Sequence, residues 1–367
     1  MANTSEGVSK RLQSLDFFRG FTMFLLIAEF AGIFHHLRSP ELEGSFLYWL
    51  GTQLDHVEWE GLHFWDNIQP FFMYIVGVAM PLSFARRGSS GQDDSQIKWH
   101  VYKRAFLLLF LGWALYCIDP GKIVFRFQNV LAQLAVTYLI AYWLMRSRFV
   151  VQVLASLTLL LITEILYRTF PIAGFDHAFV PGQNFGAWFN ILIAGEEDGG
   201  HWAMFNAIPT AAHTIWGVLT GQLLLGDKSE KEKLKWLLVS GVILLVIGIG
   251  LSFYTPIIKR ISTSSFVIVS GGISILVFAL CYWVYDILNK KSLLWFFSIV
   301  GLNPLFIYLF AHVGGAELLH KIFTPFVGIF TYFMPEWLGG ILTGLVVLAA
   351  LWYLCYWLYK QKIFIRI

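Results

Sequence analysis

The chain has 367 residues, of which 57% are hydrophobic and 13% charged, with a formal net charge of +3. A soluble domain carries about 25% charged residues, so this composition excludes a fold that hides its apolar surface in water, and the bilayer must act as solvent for part of it. The small net charge does not imply nucleic-acid binding.

No cleavable leader is expected, because the polar stretch Ser5 to Ser14 precedes the first apolar run and no small-residue cleavage site follows that run. Apolar runs of spanning length then occur at about 17–35, 63–84, 103–118, 127–145, 149–167, 206–226, 236–254, 264–287, 293–314 and 337–359. The third is the shortest. The spacing predicts an all-α polytopic membrane protein of about ten transmembrane helices, forming a single domain over 1–367. If the N-terminus is cytoplasmic, eighteen of the 26 lysines and arginines fall inside, from Lys10 and Arg11 to Arg366, and seven outside. That bias places both termini in the cytoplasm. Lys259-Arg260 is the outer exception. Two long outer loops, about 36–62 and 168–205, are rich in Gly, His and acidic residues, and loops of that length are where binding residues tend to lie. The 15 Trp suit membrane interfaces.

Ionisable groups in a span are costly unless paired or hydrated, so each is a functional candidate. Asp16 and Arg19 are three apart on the first helix: either an ion pair that anchors the helix end, or an arginine held in a cytoplasm-facing cavity for an anion such as phosphate. Glu29 lies deep on the same helix and needs a partner or water. The richest stretch runs from Asp55 to Asp66, with His56, Glu58, Glu60 and His63 between. His takes and returns protons near neutrality, and neighbouring carboxylates can orient it or attract a cation. A hydrated interfacial loop has the same composition. On an unbroken helix His56 and Asp66 would stand about 15 Å apart, so contact between them requires a bend. Asn303-Pro304 breaks the ninth span. His213 and His312 read as core histidines, and Cys117, Cys281 and Cys355 as small buried hydrophobes. No metal-ligand spacing, HExxH, GxSxG, P-loop or Rossmann pattern occurs in the right context. The residues alone leave enzyme and transporter open.

The run Arg11-Leu12-Gln13-Ser14-Leu15-Asp16-Phe17-Phe18-Arg19-Gly20 resembles the opening of the heparan-alpha-glucosaminide N-acetyltransferase family, an R-x-x-S-x-D-x-x-R-G segment entering the first span. His56-Val57-Glu58-Trp59-Glu60-Gly61-Leu62, Asp66 and Pro70 to Gly77 are similar to the next family pattern. Lys103-Arg104, Ile208-Pro209, Gly217 to Gly221, Pro256, Lys259, Thr263 to Ser265, Gly301 and Asn303 follow in order. Two positions depart: Ala132-Gln133 stands where the family commonly has Gln-Arg, and Glu29 stands nearest to a common Asn. The short chain looks like the bacterial type, which implies an inner-membrane protein and a plausible homodimer.

The resemblance implies transfer of an acetyl group from cytoplasmic acetyl-CoA to a glucosamine-type amine on the outer side, without a metal. It implies Asp16, Arg19, Arg86, Lys103 and Arg104 at the CoA end. His56 would be base or acetyl carrier, with Asp66 and Asn303 beside the chemistry, and Glu29, Asp55, Glu58, Glu60 and Lys259 at the acceptor. A transporter of amino sugars is the rival expectation.

Overall fold

The computed structural model describes residues 12–89 and 91–365, so Lys10, Arg11 and Arg366 lie outside the described residues. Fifteen α-helices, joined by short 3-10 and π turns, account for the regular structure, and no strand occurs among the described residues. α1 (Gln13–Phe30) enters the bundle and is followed by the short α2 (Ile33–His36) and α3 (Phe46–Gln53). α4 (Ile68–Ser89) and α5 (Asp94–Ile118) are long, α6 (Val130–Leu144) is shorter, and α7 (Phe149–Thr169) is long again. α8 (Phe185–Ala194) sits within the second expected outer loop. α9 (Ala211–Leu225), α10 (Glu230–Leu251) and α11 (Ser264–Cys281) follow. Then come α12 (Leu294–Leu302), α13 (Pro304–Phe310), α14 (Ala316–Thr331) and α15 (Glu336–Lys360).

Seven stretches among the described residues are long and apolar enough to cross a membrane. The protein is therefore polytopic and all-α. The expectation of ten spans differs from this count for physical reasons. α1 carries Asp16, Arg19 and Glu29 in 18 residues, so it is too charged to qualify by composition. α6 and α9 have 15 residues each, about 22 Å of helix, which is short of a full hydrocarbon core. In the other direction, 316–331 was expected to be outer loop and is helical. It continues α13 beyond a broken turn at 311–315, so that Pro304–Thr331 makes one kinked stretch.

Phe64–Ser89 and Ser264–Ile287 bury most of their surface within the protein, whereas Asp94–Ile118, Phe149–Thr169 and Glu230–Leu251 turn most of theirs outward. Exposed Phe106, Leu161, Val246 and Ile247 are the apolar surface that lipid covers. With water excluded, helices associate through close van der Waals fit, which small residues permit. A Cβ on Gly77 would stand 2.1 Å from the Thr214 carbonyl oxygen, and one on Gly217 would stand 2.3 Å from that of Tyr74, so α4 and α9 touch backbone to backbone. Gly20 and Gly301 do the same for α1 and α12.

The end of the bundle where α1 begins is closed by two polar ties. Asp286 accepts from the backbone N–H groups of Gln13 (3.0 Å) and Ser14 (3.1 Å), placing a carboxylate at the positive end of α1. Asn303, between α12 and α13 as the Asn-Pro break requires, donates to the Ile363 carbonyl (3.0 Å) and accepts from the Ile365 N–H (2.8 Å).

Candidate active site

The chain from Asp55 to His63 is turn and loop, not helix, and this supplies the bend that brings His56 to Asp66. The loop is pinned at both sides. Gly61, at φ +130°, donates its N–H to the Ile257 carbonyl (2.8 Å), and the Trp59 indole donates to that of Phe179 (2.7 Å). His63 donates from Nδ1 to the Asp55 carbonyl (3.0 Å).

Within this frame His56 Nδ1 lies 2.8 Å from Asp66 Oδ1, and the other Asp66 oxygen accepts the His63 N–H at 2.9 Å. Asp66 is 1% exposed, so its carboxylate is fixed and desolvated. Lys259 Nζ stands 3.1 Å from His56 Nδ1, 3.5 Å from Nε2 and 3.7 Å from Asp66 Oδ1. Because the carboxylate is the stronger acceptor, Nδ1 carries the proton and donates to Asp66. Nε2 is left with its lone pair. Burial, and after it the Lys259 charge, hold His56 below its ordinary 6.5, so the ring is neutral at pH 7. Burial likewise pushes the Lys259 ammonium down from 10.5 to about 8, with Asp66 opposing the fall. The His56 side chain remains 31% accessible, so the free ring edge is open to a ligand.

One wall of the site was not foreseen from the sequence. Trp202, from the second long loop, meets His56 edge to face (centroids 5.3 Å apart) and lies under both Lys259 (5.3 Å) and Arg260 (5.2 Å). The Lys259-Arg260 exception to the charge rule is thereby explained. Lys259 is spent on His56 and Asp66, and Arg260 donates to the Gly200 carbonyl as well as capping Trp202. A Trp in a long loop, next to a charge pair distant in sequence, carried no pattern that would have singled it out.

The remaining expected acceptor residues divide. Glu29 is within electrostatic range of Lys259 and receives the Trp65 indole N–H. The residue as a whole is exposed although protein crowds its carboxylate. Asp55 pairs with Arg38. Glu58 and Glu60 are exposed and belong to the loop surface. Asn303 is not brought to His56. Its amide is occupied by the chain near the C-terminus, at the opposite end of the bundle.

That opposite end holds a cavity of about 1350 Å³. Its mouth is lined by Asp16, Arg19, Arg86, Arg87, His100 and Arg104. Lys103 is exposed and outside the lining, whereas the adjacent Arg104 belongs to it. The Arg104 guanidinium lies over the Tyr138 ring at 4.9 Å, and its Nε is buried without a hydrogen-bond partner. Arg87 donates to His100 Nε2 at 2.7 Å. The lining turns apolar with depth, through Met23, Phe72, Leu108, Leu131 and Tyr308. No group of three or more His, Cys, Asp or Glu suited to a metal occurs among the described residues. His213 is buried and bonded to Ser270 (2.9 Å), as a core histidine would be, whereas His312 is exposed.

Fold and site together define a polytopic helical membrane protein with a half-buried imidazole–carboxylate–ammonium cluster at one end and an arginine-lined cavity at the other. No family model matches the chain. It is similar to heparan-alpha-glucosaminide N-acetyltransferase of Homo sapiens, 29% identical over 137 residues, and to that of Mus musculus, 28% identical over 144 residues. The matches cover 35% and 37% of this chain but 18% and 19% of those proteins. These matches support a family-level relationship with heparan-alpha-glucosaminide N-acetyltransferase.

Proposed function

We propose that this chain is a membrane acetyltransferase. Acetyl-CoA enters from the cavity end, and a glucosamine-type amine accepts the acetyl group at the His56 end. The observation that carries this reading is the His56–Asp66–Lys259 cluster: a neutral ring nitrogen with an open edge beside an ammonium is what acyl transfer to an amine requires. The arginines of the cavity mouth suit phosphates. The relatives are named as N-acetyltransferases.

In this reading the acceptor amine attacks the thioester carbonyl while His56 Nε2 takes its proton. Lys259 faces the oxygen that becomes negative. The C–S bond then breaks, and the imidazolium returns its proton to the departing thiolate, leaving an amide, a thiol and a neutral His56. Asp66 keeps the ring in the tautomer this needs and offsets its transient charge. Because Nδ1 is committed to Asp66 and Nε2 is needed as base, direct transfer is preferred over an acetylated histidine.

His56→Ala is expected to lower acetyl transfer to a panel of amino sugars at least about 100-fold, read by mass spectrometry. Acetyl-CoA should still raise its melting temperature as in the wild type. Wild-type turnover in the purified variant would overturn the assignment. Counterflow of labelled sugar in liposomes without CoA would instead establish the transporter.

A further inference from the structure

The arginine-lined cavity and the His56 cluster do not join into one open space: none of His56, Asp66, Lys259 or Glu29 belongs to the cavity lining. What stands between them is specific. The lining reaches Met23 on α1, Phe72 on α4, Leu108 on α5 and the aromatic ring of Tyr308 on α13. Tyr308 is 6% exposed, and its ring packs on His312 (centroids 4.4 Å apart), which packs on Phe30 (4.7 Å), the neighbour of Glu29. Glu29 is within electrostatic range of Tyr308 on one side and of Lys259 on the other. Tyr308 thus borders the arginine-lined cavity and also lies within electrostatic range of Glu29, which is not part of that lining. It stands directly before a break in the helix: Val313 leaves helical geometry and Gly314 adopts φ +93°, so α13 is not held rigidly to α14 by a continuous hydrogen-bond ladder.

We propose that Tyr308 is the partition between donor cavity and acceptor site, and that it makes acyl transfer depend on the amine by keeping water from the thioester. This rests on the transfer reading above. A thioester held at the blind end of the cavity meets the His56 side only when the ring swings aside. With the ring gone, water reaches it continuously. The side reaction is hydrolysis: water adds to the carbonyl, the C–S bond breaks, and the second water proton passes to the thiolate, giving a carboxylic acid and free thiol.

The test measures thiol release from acetyl-CoA by purified protein, with and without an amino-sugar acceptor. Tyr308→Ala is expected to raise the ratio of acceptor-free hydrolysis to transfer at least tenfold. Tyr308→Phe, which retains the ring, keeps the ratio low. If Tyr308→Ala is not recovered as folded protein, Tyr308→Leu removes the ring with less loss of volume and makes the same test. A ratio unchanged in the ring-deleting variant, or raised equally by Tyr308→Phe, overturns the partition. If the wild type neither transfers acetyl nor is stabilised by acetyl-CoA, it is the transfer reading that fails instead.

Discussion

At the scale of single residues, the site depends on a contest for His56. Asp66 favours a proton on the ring, while burial and Lys259 oppose a positive one. The sign of the pH dependence follows. A base must be unprotonated, so transfer rises with pH through the His56 pKa, below 6.5. A cation that stabilises an oxyanion must be protonated, so transfer falls once pH passes about 8, where Lys259 loses its charge. Lys259→Met is expected to abolish the alkaline limb and to move the acid limb upward toward the ordinary histidine value, because the repelling charge is gone. Rate profiles from pH 5 to 10 check both limbs, and an alkaline limb that survives the substitution removes Lys259 from the chemistry. His56 and Asp66 were legible as candidates, because histidine and carboxylates beside a span are costly to place without purpose, and Lys259 through its place in the family resemblance and as an exception to the charge rule. Their mutual contact was not legible, since it depends on the loop at 55–63 and on the fold carrying Lys259 across 203 positions to His56. Asn303 misled for the same reason: a polar residue at a helix break is equally suited to tying down a nearby chain end.

At the scale of elements, close helix contacts explain both the fold and part of what the sequence concealed. Hydrophobic runs locate helices that face lipid, such as α7 and α10, with little ambiguity. Central helices are harder, because charge and glycine dilute the signal where packing is tightest. α1 is the clearest case, with three ionisable residues in a helix the bundle buries on one side. α14 was missed because Gly314-Gly315 and Glu317 to Lys321 resemble a loop in composition, whereas its apolar residues fall on one helical face. The glycines of α4 give a direct test. A methyl at Gly77 must displace the Thr214 carbonyl, whereas one at Gly88 meets nothing within 4 Å. Gly77→Ala is therefore expected to destabilise by about 1–3 kcal/mol, the usual cost of overpacking. Gly88→Ala should be neutral or stabilising by up to about 1 kcal/mol, through helix propensity. Thermal unfolding of the two variants in detergent separates the effects. Equal stabilities would mean that α4 and α9 do not approach as closely as described.

At the scale of the whole molecule, the two polar regions are separated along α4, whose 22 residues span about 33 Å and thus match the hydrocarbon thickness. Asp66 lies just before its start, and Arg86 and Arg87 lie in its last turn. A ligand recognised by the arginines at one end and by His56 at the other must therefore be long, with charge at one terminus and a reactive group at the other. Acetyl-CoA has that form, with its phosphates remote from the thioester. Because the arginines and the acceptor site lie at opposite ends, their energetic contributions should separate. Arg19→Ala is expected to weaken acetyl-CoA binding by about 1–3 kcal/mol, the worth of a charge-assisted contact to phosphate. The loss should shrink as salt screens the remaining attraction. On the proposed arrangement, with the amine engaged at the His56 end, binding of an amino sugar alone should be unaffected. Calorimetry with each ligand at two ionic strengths distinguishes this from general damage to the bundle, which would weaken both. An unchanged acetyl-CoA affinity would show that the arginine mouth serves another anion, and would leave the His56 cluster without a route to its donor.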